Sequence, residues 1–133
     1  MKQRSRVSVT VDTSNQIIVT RLFSLRQAVD GLPDLIDHLK MAGQPWLYDA
    51  ILDFRRYEAE LTPDYLEFLV GKWISLEAGR RLRKILCVIT PDVSLRAQLM
   101  PLADALPHRE LAFFDTFDEA MDWIDERRQA NAA

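Results

Sequence analysis

The sequence predicts a single α/β domain, a mixed sheet of about five strands with helices packed against it, in the order ββαβαβαβα. Three observations support this prediction. Two strand-like segments follow each other near the N-terminus, strand-like and helix-like segments alternate after them, and 133 residues is the length of one ordinary domain. Strands separated by single helices need crossover connections, so we expect strands three to five to be parallel neighbours.

The first two strands are predicted to form an antiparallel hairpin. Residues 7–11 alternate apolar and polar side chains, as in a strand with one buried face. The polar cluster at residues 12–15 is typical of a turn, and residues 17–20 again favour a strand. Ser24 is expected to begin a short turn. Residues 33–41 are predicted as the first firm helix, because proline is well tolerated in a first turn.

The third strand is predicted at residues 46–55, whose centre is continuously apolar, as in a strand covered on both faces. The next helix is expected to begin at Thr62 as its N-cap, with Pro63 at the first helical position. Asp64 would then lie near the positive end of the helix dipole. This helix is predicted to continue to about residue 79.

The C-terminal part repeats the strand–helix pattern twice. Residues 84–90 are the fourth predicted strand, and the Thr-Pro-Asp sequence at residues 90–92 is interpreted as a second helix start of the same kind. Pro101 is expected to kink or divide the helix that follows. Residues 111–114 are predicted as the fifth strand, and a capping box at residues 116–119 begins the last helix.

Composition argues against several classes of protein. The net charge of −3 is unlike that of a dedicated nucleic-acid binder, so no nucleic-acid partner is expected. Cys87 is the single cysteine and lies in an apolar run, which indicates a buried core residue. No apolar stretch is long enough to predict a membrane span, and the cytoplasm is the expected location. The domain is predicted at residues 5–128, with flexible termini at 1–4 and 129–133.

No complete catalytic or metal-binding motif occurs, so we expect no enzyme activity, no metal and no cofactor. Gly-x-Ser-x-Gly is absent, and neither His38 nor His108 has ligand spacing to another histidine or cysteine. An enzyme would need a nucleophile and a base within reach of each other. A closed cleft that brings Asp53, Tyr57 and Thr90 together would favour that interpretation.

The candidate site is predicted beyond the carboxyl ends of the strands, where ligands bind in open α/β sheets. Its candidate ligand- or partner-binding residues are Asp53, Arg55, Tyr57, Glu58, Thr62, Asp64, Thr90 and Thr116. Helix N-termini at this edge attract anions. The threonine hydroxyls have two open roles: capping of their own helices, which we favour, or contact with a ligand. A charged pair of Asp53 with Arg55 or Arg56 is interpreted as structural.

Several of these segments resemble the STAS domain. They are the N-terminal hairpin, residues 50–54 leading into a helix, and the apolar strand at residues 84–89 with the helix and strand after it. Residues 112–124 are similar to the SpoIIAA-like branch. There a strand that ends in phenylalanine precedes an acidic capping segment, an alanine and a tryptophan–aliphatic pair. The resemblance extends over roughly residues 7–124.

The resemblance implies a mixed sheet with helices on it and, in bacterial regulatory members, binding of an anti-sigma factor gated by phosphorylation. The family's phosphoacceptor lies in Asp-Ser-Ser-Gly at the start of the second helix, which residues 61–64 match here. Pro63 stands where the family carries its phosphate and has no hydroxyl, which leaves Thr62 as a weak substitute. A relation of some members to lipid-binding Sec14-like domains implies a small apolar ligand as an alternative.

We therefore expect a non-catalytic regulatory or protein-interaction module. Its partner surface is predicted at residues 57–68, where Glu58, Glu60 and Asp64 would contact a regulatory protein such as an anti-sigma-type factor. The alternative is a domain that binds a small ligand, which could be an anion, a nucleotide or a lipid. Apolar helix residues such as Phe68 and Trp73 would allow a homodimer without requiring one.

Overall fold

The computed structural model describes residues 6–24, 41, 47–57, 63–76, 84–106 and 109–132. The elements in chain order are β1 (Arg6–Asp12), β2 (Ile17–Ser24), β3 (Asp49–Tyr57), α1 (Pro63–Leu76), β4 (Lys84–Ile89), α2 (Val93–Leu99), α3 (Leu102–Ala105), β5 (Arg109–Phe114) and α4 (Phe117–Ala132). The helix predicted at residues 33–41 lies outside the described residues, except for Met41, which is helical.

The five strands form one mixed sheet in the order β1-β2-β3-β4-β5. Strands β1 and β2 are the predicted antiparallel hairpin, and the pairs β2–β3, β3–β4 and β4–β5 are parallel. In the hairpin turn, the carboxylate of Asp12 accepts hydrogen bonds from the backbone and side-chain amides of Asn15, at 3.0 and 2.8 Å. Gln16 then takes a left-handed backbone, with φ of 55°. The α/β class and the mixed sheet are thus confirmed.

Each face of the sheet has its own apolar cluster. The first face packs against helices α1, α2 and α3, and its cluster contains Ile18, Leu22, Ala50, Leu52, Phe54, Tyr57, Leu86 and Val88 of the sheet, Trp73, Leu95, Leu99 and Leu102 of the helices, and Leu106, which follows α3. The second face packs against α4, and its cluster contains Ile17, Val19, Ile51, Ile85, Cys87, Ile89, Ala120 and Ile124. Because β3 and β4 supply side chains to both clusters, the centres of their sequences are continuously apolar.

Prolines and termini set the helix boundaries. Helix α1 begins at Pro63, as predicted for a proline at the first helical position. Pro101 divides the next helix into α2 and α3, which confirms one of the two outcomes that the sequence allowed. Helix α4 continues to Ala132, beyond residue 128, where the domain was predicted to end.

Buried charged side chains close the amino edge of the sheet. The carboxylate of Asp49, at the start of β3, accepts hydrogen bonds from the backbone N–H of Ile85 at 2.8 Å and from Arg128 of α4 at 2.6 and 2.9 Å. The guanidinium of Arg109 is also buried here and donates to the carbonyl oxygens of Tyr48 and Ile85, at 2.8 and 3.2 Å. These contacts fix where α4 ends relative to the sheet.

Candidate functional site

Helix α4 crosses the second face of the sheet obliquely. It begins just after β5, at the carboxyl edge of the sheet. Near its other end, Arg128 pairs with Asp49 and donates hydrogen bonds to the carbonyl oxygens of Asn15 and Gln16, at 2.7 and 3.1 Å. These residues lie at the amino ends of β2 and β3. The helix therefore runs from the carboxyl end of β5 to the opposite corner of the sheet.

This oblique path leaves the carboxyl ends of β2 and β3 beyond the apolar cluster of the second face. The last members of that cluster on these strands are Val19 and Ile51. Two residues further along the same face, the side chains become charged, with Arg21 on β2 paired in register with Asp53 on β3. A cleft of about 500 Å³ opens here, lined by Arg21, Leu22, Phe23, Asp53, Arg55 and Arg56.

A β-bulge shapes the wall of the cleft that β3 provides. Between the pairs Arg21↔Asp53 and Phe23↔Arg56, strand β2 advances by two residues and β3 by three, so β3 contains one extra residue. Arg55 and Arg56 are consequently both exposed, although they are consecutive in the strand. A bulge of this kind re-aims side chains beside a site.

The bulge also fixes Tyr57, another of the predicted site residues. It brings Phe54 and Tyr57 onto the same face, where their rings meet edge to face with centroids 5.5 Å apart. Tyr57 is buried in the apolar cluster of the first face and does not line the cleft. The structure therefore gives Tyr57 a packing role at the end of β3.

Asp53 holds Arg55 in a fixed orientation. Asp53 is only 5% exposed, and its carboxylate accepts hydrogen bonds from Nε and Nη2 of Arg55, at 3.0 and 2.8 Å, and from the Arg55 backbone N–H at 3.0 Å. Nε of Arg21 lies 4.0 Å from the same carboxylate. Burial by itself would raise the pKa of Asp53, but the hydrogen bonds from Arg55 and the charges of Arg55 and Arg21 outweigh it and lower that pKa.

Arg56 forms the outer wall of the cleft together with Phe23. Its guanidinium carbon lies 6.0 Å from the centroid of the Phe23 ring, a cation–π distance. Within the described part of the chain, the Arg56 side chain has neither a hydrogen-bond acceptor nor an acidic partner. The predicted charged pair of Asp53 with Arg55 is therefore present. The Arg56 guanidinium instead contacts the Phe23 ring.

The carboxyl ends of β4 and β5 have a different arrangement, in which Arg96 of α2 joins the two strands. Its Nη2 donates to the carbonyl oxygen of Thr90 at 3.0 Å and to the Asp115 carboxylate at 2.8 Å. The polar groups of this part of the edge are thus hydrogen-bonded to each other. Arg96 was not among the predicted site residues, because a helix surface arginine carries no signal of what lies across the sheet edge from it.

The two predicted threonines with described positions have different roles. Thr116 caps α4 as expected, since its Oγ1 accepts a hydrogen bond from the Glu119 N–H at 3.2 Å and donates one to the Glu119 carboxylate. The interpretation of Thr90 as the cap of α2 is wrong. Asp92 caps that helix by accepting from the N–H groups of Ser94 and Leu95, at 2.9 and 3.3 Å.

Thr90 instead ends the sheet. Its backbone N–H donates to the carbonyl oxygen of Phe114 at 2.9 Å, and its buried hydroxyl accepts from the Asp92 N–H at 3.1 Å. It does not line the cleft that contains Asp53. The cleft therefore brings together only Asp53 and Arg55 of the predicted residues, and it does not assemble the set of Asp53, Tyr57 and Thr90 that would have favoured an enzyme.

The remaining predicted residues lie elsewhere. Asp64 is exposed in the first turn of α1, away from the cleft, and Glu58 and Thr62 lie outside the described residues. The sequence analysis did not nominate Arg21 or Phe23. The available signal was the charge of Arg21, which follows the buried apolar residues Ile17 and Val19 on the same side of β2.

Cys87 is inaccessible in the core, as the sequence predicted. It is 0% exposed, and burial, together with the negative charges of Asp49 and Glu110, raises the pKa of its thiol to about 12. In the described ranges, no three histidine, cysteine or acidic side chains are grouped as metal ligands. None of the helices in those ranges combines the length and apolar character that a bilayer crossing requires.

Comparison with known proteins does not assign the chain to a family: no family model, no curated protein and no solved structure matches it. The site is therefore defined by its own geometry. In the part of the chain that the structure describes, its features are a cleft at the carboxyl ends of β2 and β3, three arginines, one buried carboxylate and an aromatic wall.

Proposed function

We propose that this domain is a non-catalytic regulatory module, of the STAS-like and SpoIIAA-like kind, that binds a protein partner through the exposed face of α1. The observation that carries the proposal is a pair of large apolar side chains in solvent on that face, Phe68 at 54% and Ile74 at 48% exposure. Trp73, which was expected to allow a homodimer together with Phe68, is only 6% exposed. The helix thus buries one apolar side and presents a second.

Gly71 lies between the two exposed apolar side chains on the helix surface, at 100° per residue. No atom lies within 4 Å of the position that a Cβ would take there. A glycine inside a helix costs about 1 kcal/mol relative to alanine, so the fold itself gains nothing from it. What glycine does provide is a shallow depression between Phe68 and Ile74, into which a partner's apolar side chain could insert.

Charged residues surround this apolar face. Asp64 and Glu67 are exposed toward the amino end of α1, and the Lys72 ammonium lies 4.8 Å from the centroid of the Phe68 ring. An apolar centre with a polar rim is the usual anatomy of a protein interface. The acidic end favours a partner with basic residues at the matching position. We propose an anti-sigma-type regulatory protein as that partner and the cytoplasm as the place where they meet.

A non-catalytic role is proposed because the described residues of the cleft include no nucleophile next to a base. The carboxylate among them, Asp53, is occupied by three hydrogen bonds from Arg55 and has a lowered pKa. A carboxylate with a lowered pKa is a weaker general base than one tuned toward neutral pH.

The experiment is site-specific photo-crosslinking in the native host, with p-benzoylphenylalanine at position 74 and, as a control, at position 93. Val93 on α2 is 78% exposed and apolar, so it matches Ile74 in chemistry but lies on another surface. We expect a discrete adduct with a second protein from position 74 only. Adducts of equal yield from both positions would contradict the proposal, and an adduct of two 15.4 kDa chains would identify a homodimer instead.

Binding of the crosslinked partner is then measured with purified proteins. Phe68→Ser and Ile74→Ser should each weaken binding by about tenfold or more, which corresponds to about 1.4 kcal/mol. Val93→Ser should leave the affinity unchanged. If all three variants bind as the wild type does, the α1 face is not the interface.

A further inference from the structure

We infer that the cleft at the carboxyl ends of β2 and β3 binds a small phosphomonoester, with its phosphate between Arg21, Arg55 and Arg56. The described residues of the lining include three arginines and one aspartate, so their formal charge is 3 − 1 = +2. A phosphate ester at neutral pH carries a charge of about −1.5 to −2, so the two match in magnitude. This site is separate from the α1 face and does not depend on the proposed protein partner.

The arginines are arranged as an anion-binding group requires. Asp53 fixes Arg55 by using Nε and Nη2 of its guanidinium, and within the described residues Nη1 has no acceptor. Arg21 on β2 lies opposite Asp53 on β3 in the strand register, and its Nε lies 4.0 Å from the Asp53 carboxylate. A guanidinium that is already oriented loses less entropy when it binds phosphate.

Arg56 is the strongest reason to expect a ligand. The bulge in β3 places this second arginine beside the first, although two consecutive strand residues would otherwise point to opposite faces. Its only described contact is with the ring of Phe23, at 6.0 Å from the centroid. Two adjacent cations repel each other, and an anion bound between them removes that repulsion.

The rest of the cleft indicates that the phosphate belongs to an organic molecule. The volume of about 500 Å³ lies within the range of small-molecule sites and exceeds what one phosphate fills. The Leu22 side chain packs in the apolar cluster of the first face, and Phe23 gives the cleft an aromatic wall that is partly exposed. This ring suits the planar or apolar part of a phosphomonoester.

The test is calorimetric titration of the full chain with adenosine 5′-monophosphate, glucose 6-phosphate, inorganic phosphate and adenosine, all at constant ionic strength. We expect saturable binding of at least one phosphomonoester. Inorganic phosphate should bind more weakly, and adenosine at least tenfold more weakly than its monophosphate. No saturable binding of any phosphate compound at about 10 mM, or equal binding of adenosine and its monophosphate, would overturn the inference.

Charge-neutralising variants locate the site. Arg21→Gln and Arg56→Gln should each weaken phosphomonoester binding by about tenfold, while Lys72→Gln, which removes an exposed cation on α1, should change it less than twofold. Side-chain Nε–H signals of Arg21 and Arg55 in NMR spectra should shift with ligand in the wild type. Equal losses in all three variants would show unspecific attraction and overturn the site.

A final arm separates free phosphates from lipid headgroups. Vesicles of phosphatidylcholine with and without phosphatidic acid are sedimented with the protein. Binding to the acidic vesicles combined with no response to soluble phosphomonoesters would overturn the small-molecule assignment. Binding to the soluble compounds with no sedimentation supports it.

Discussion

Removal of Asp49 from its pair with Arg128 should be one of the most destabilising single substitutions in this domain. The pair joins the start of β3 to the last turns of α4, across 79 positions in sequence, at 2.6 and 2.9 Å. The same carboxylate also supplies the acceptor for the Ile85 N–H. Replacing Asp49 by alanine therefore removes two functions at once: it leaves a buried N–H without its partner and an arginine without its counter-charge.

The expected magnitude follows from burial on each side of the pair. Removing one partner of a buried ion pair costs about 3–5 kcal/mol. The Arg128 side chain is 34% exposed and can regain water, so the lower end applies and Asp49→Ala should cost about 3 kcal/mol. Asp49→Asn keeps an oxygen for Ile85 and loses the charge, so it should cost about 1–2 kcal/mol.

Urea unfolding measured by circular dichroism tests these values, with the slope against denaturant required to stay constant. The matched control is the neighbouring exposed pair of Arg127 with Glu110, at 2.7 Å, for which Arg127→Ala should cost less than about 1 kcal/mol. A double-mutant cycle of Asp49→Ala with Arg128→Ala should give a coupling of at least about 1 kcal/mol. A loss below about 0.5 kcal/mol for Asp49→Ala, or strict additivity in the cycle, would refute the reasoning.

Three further predictions concern single residues. Gly71→Ala should stabilise the domain by about 0.5–1 kcal/mol in thermal unfolding, because there is room for the methyl group; a loss of stability would contradict this. Cys87, with its pKa raised from 9.0 to about 12, should not react with thiol reagents in the folded state. Since the unfolded thiol ionises first, stability should fall as the pH rises above about 9, and Cys87→Ala should lack that fall. The lowered pKa of Asp53 predicts the opposite pH dependence of stability. The ionised Asp53 carboxylate stabilises the fold above about pH 4, and this stabilisation is lost as the pH falls through the pKa of the folded state. Asp53→Asn should reduce this dependence.

The predictable part of the fold is the part encoded in local side-chain periodicity. Alternation at residues 7–11 identified β1, and the continuously apolar centres of β3 and β4 correctly indicated burial on both faces. The capping box at Thr116 needed only two residues three positions apart, and the Thr116 hydroxyl accepts from the Glu119 N–H and donates to the Glu119 carboxylate. In each case the deciding interaction lies within one element, or depends only on the average environment of that element.

The failures come from contacts that connect distant parts of the chain. Threonine and aspartate are both good N-caps, so local chemistry could not choose between Thr90 and Asp92. The choice was made by β5, whose Phe114 carbonyl binds the Thr90 N–H and extends the sheet pairing past Ile89.

The cleft shows most clearly why a site can escape sequence analysis. Asp49 and Asp53 are the same residue type, on the same strand and the same face, four positions apart, and both are buried. Among the described residues, their surroundings differ in the path of α4. Where the helix covers the strand, its Arg128 pairs with Asp49. Where it does not, Asp53 is paired by Arg55 of its own strand, and the arginines around it line a cleft. The structural pair and the candidate binding site are therefore two consequences of one helix orientation, which no motif in either aspartate's neighbourhood specifies.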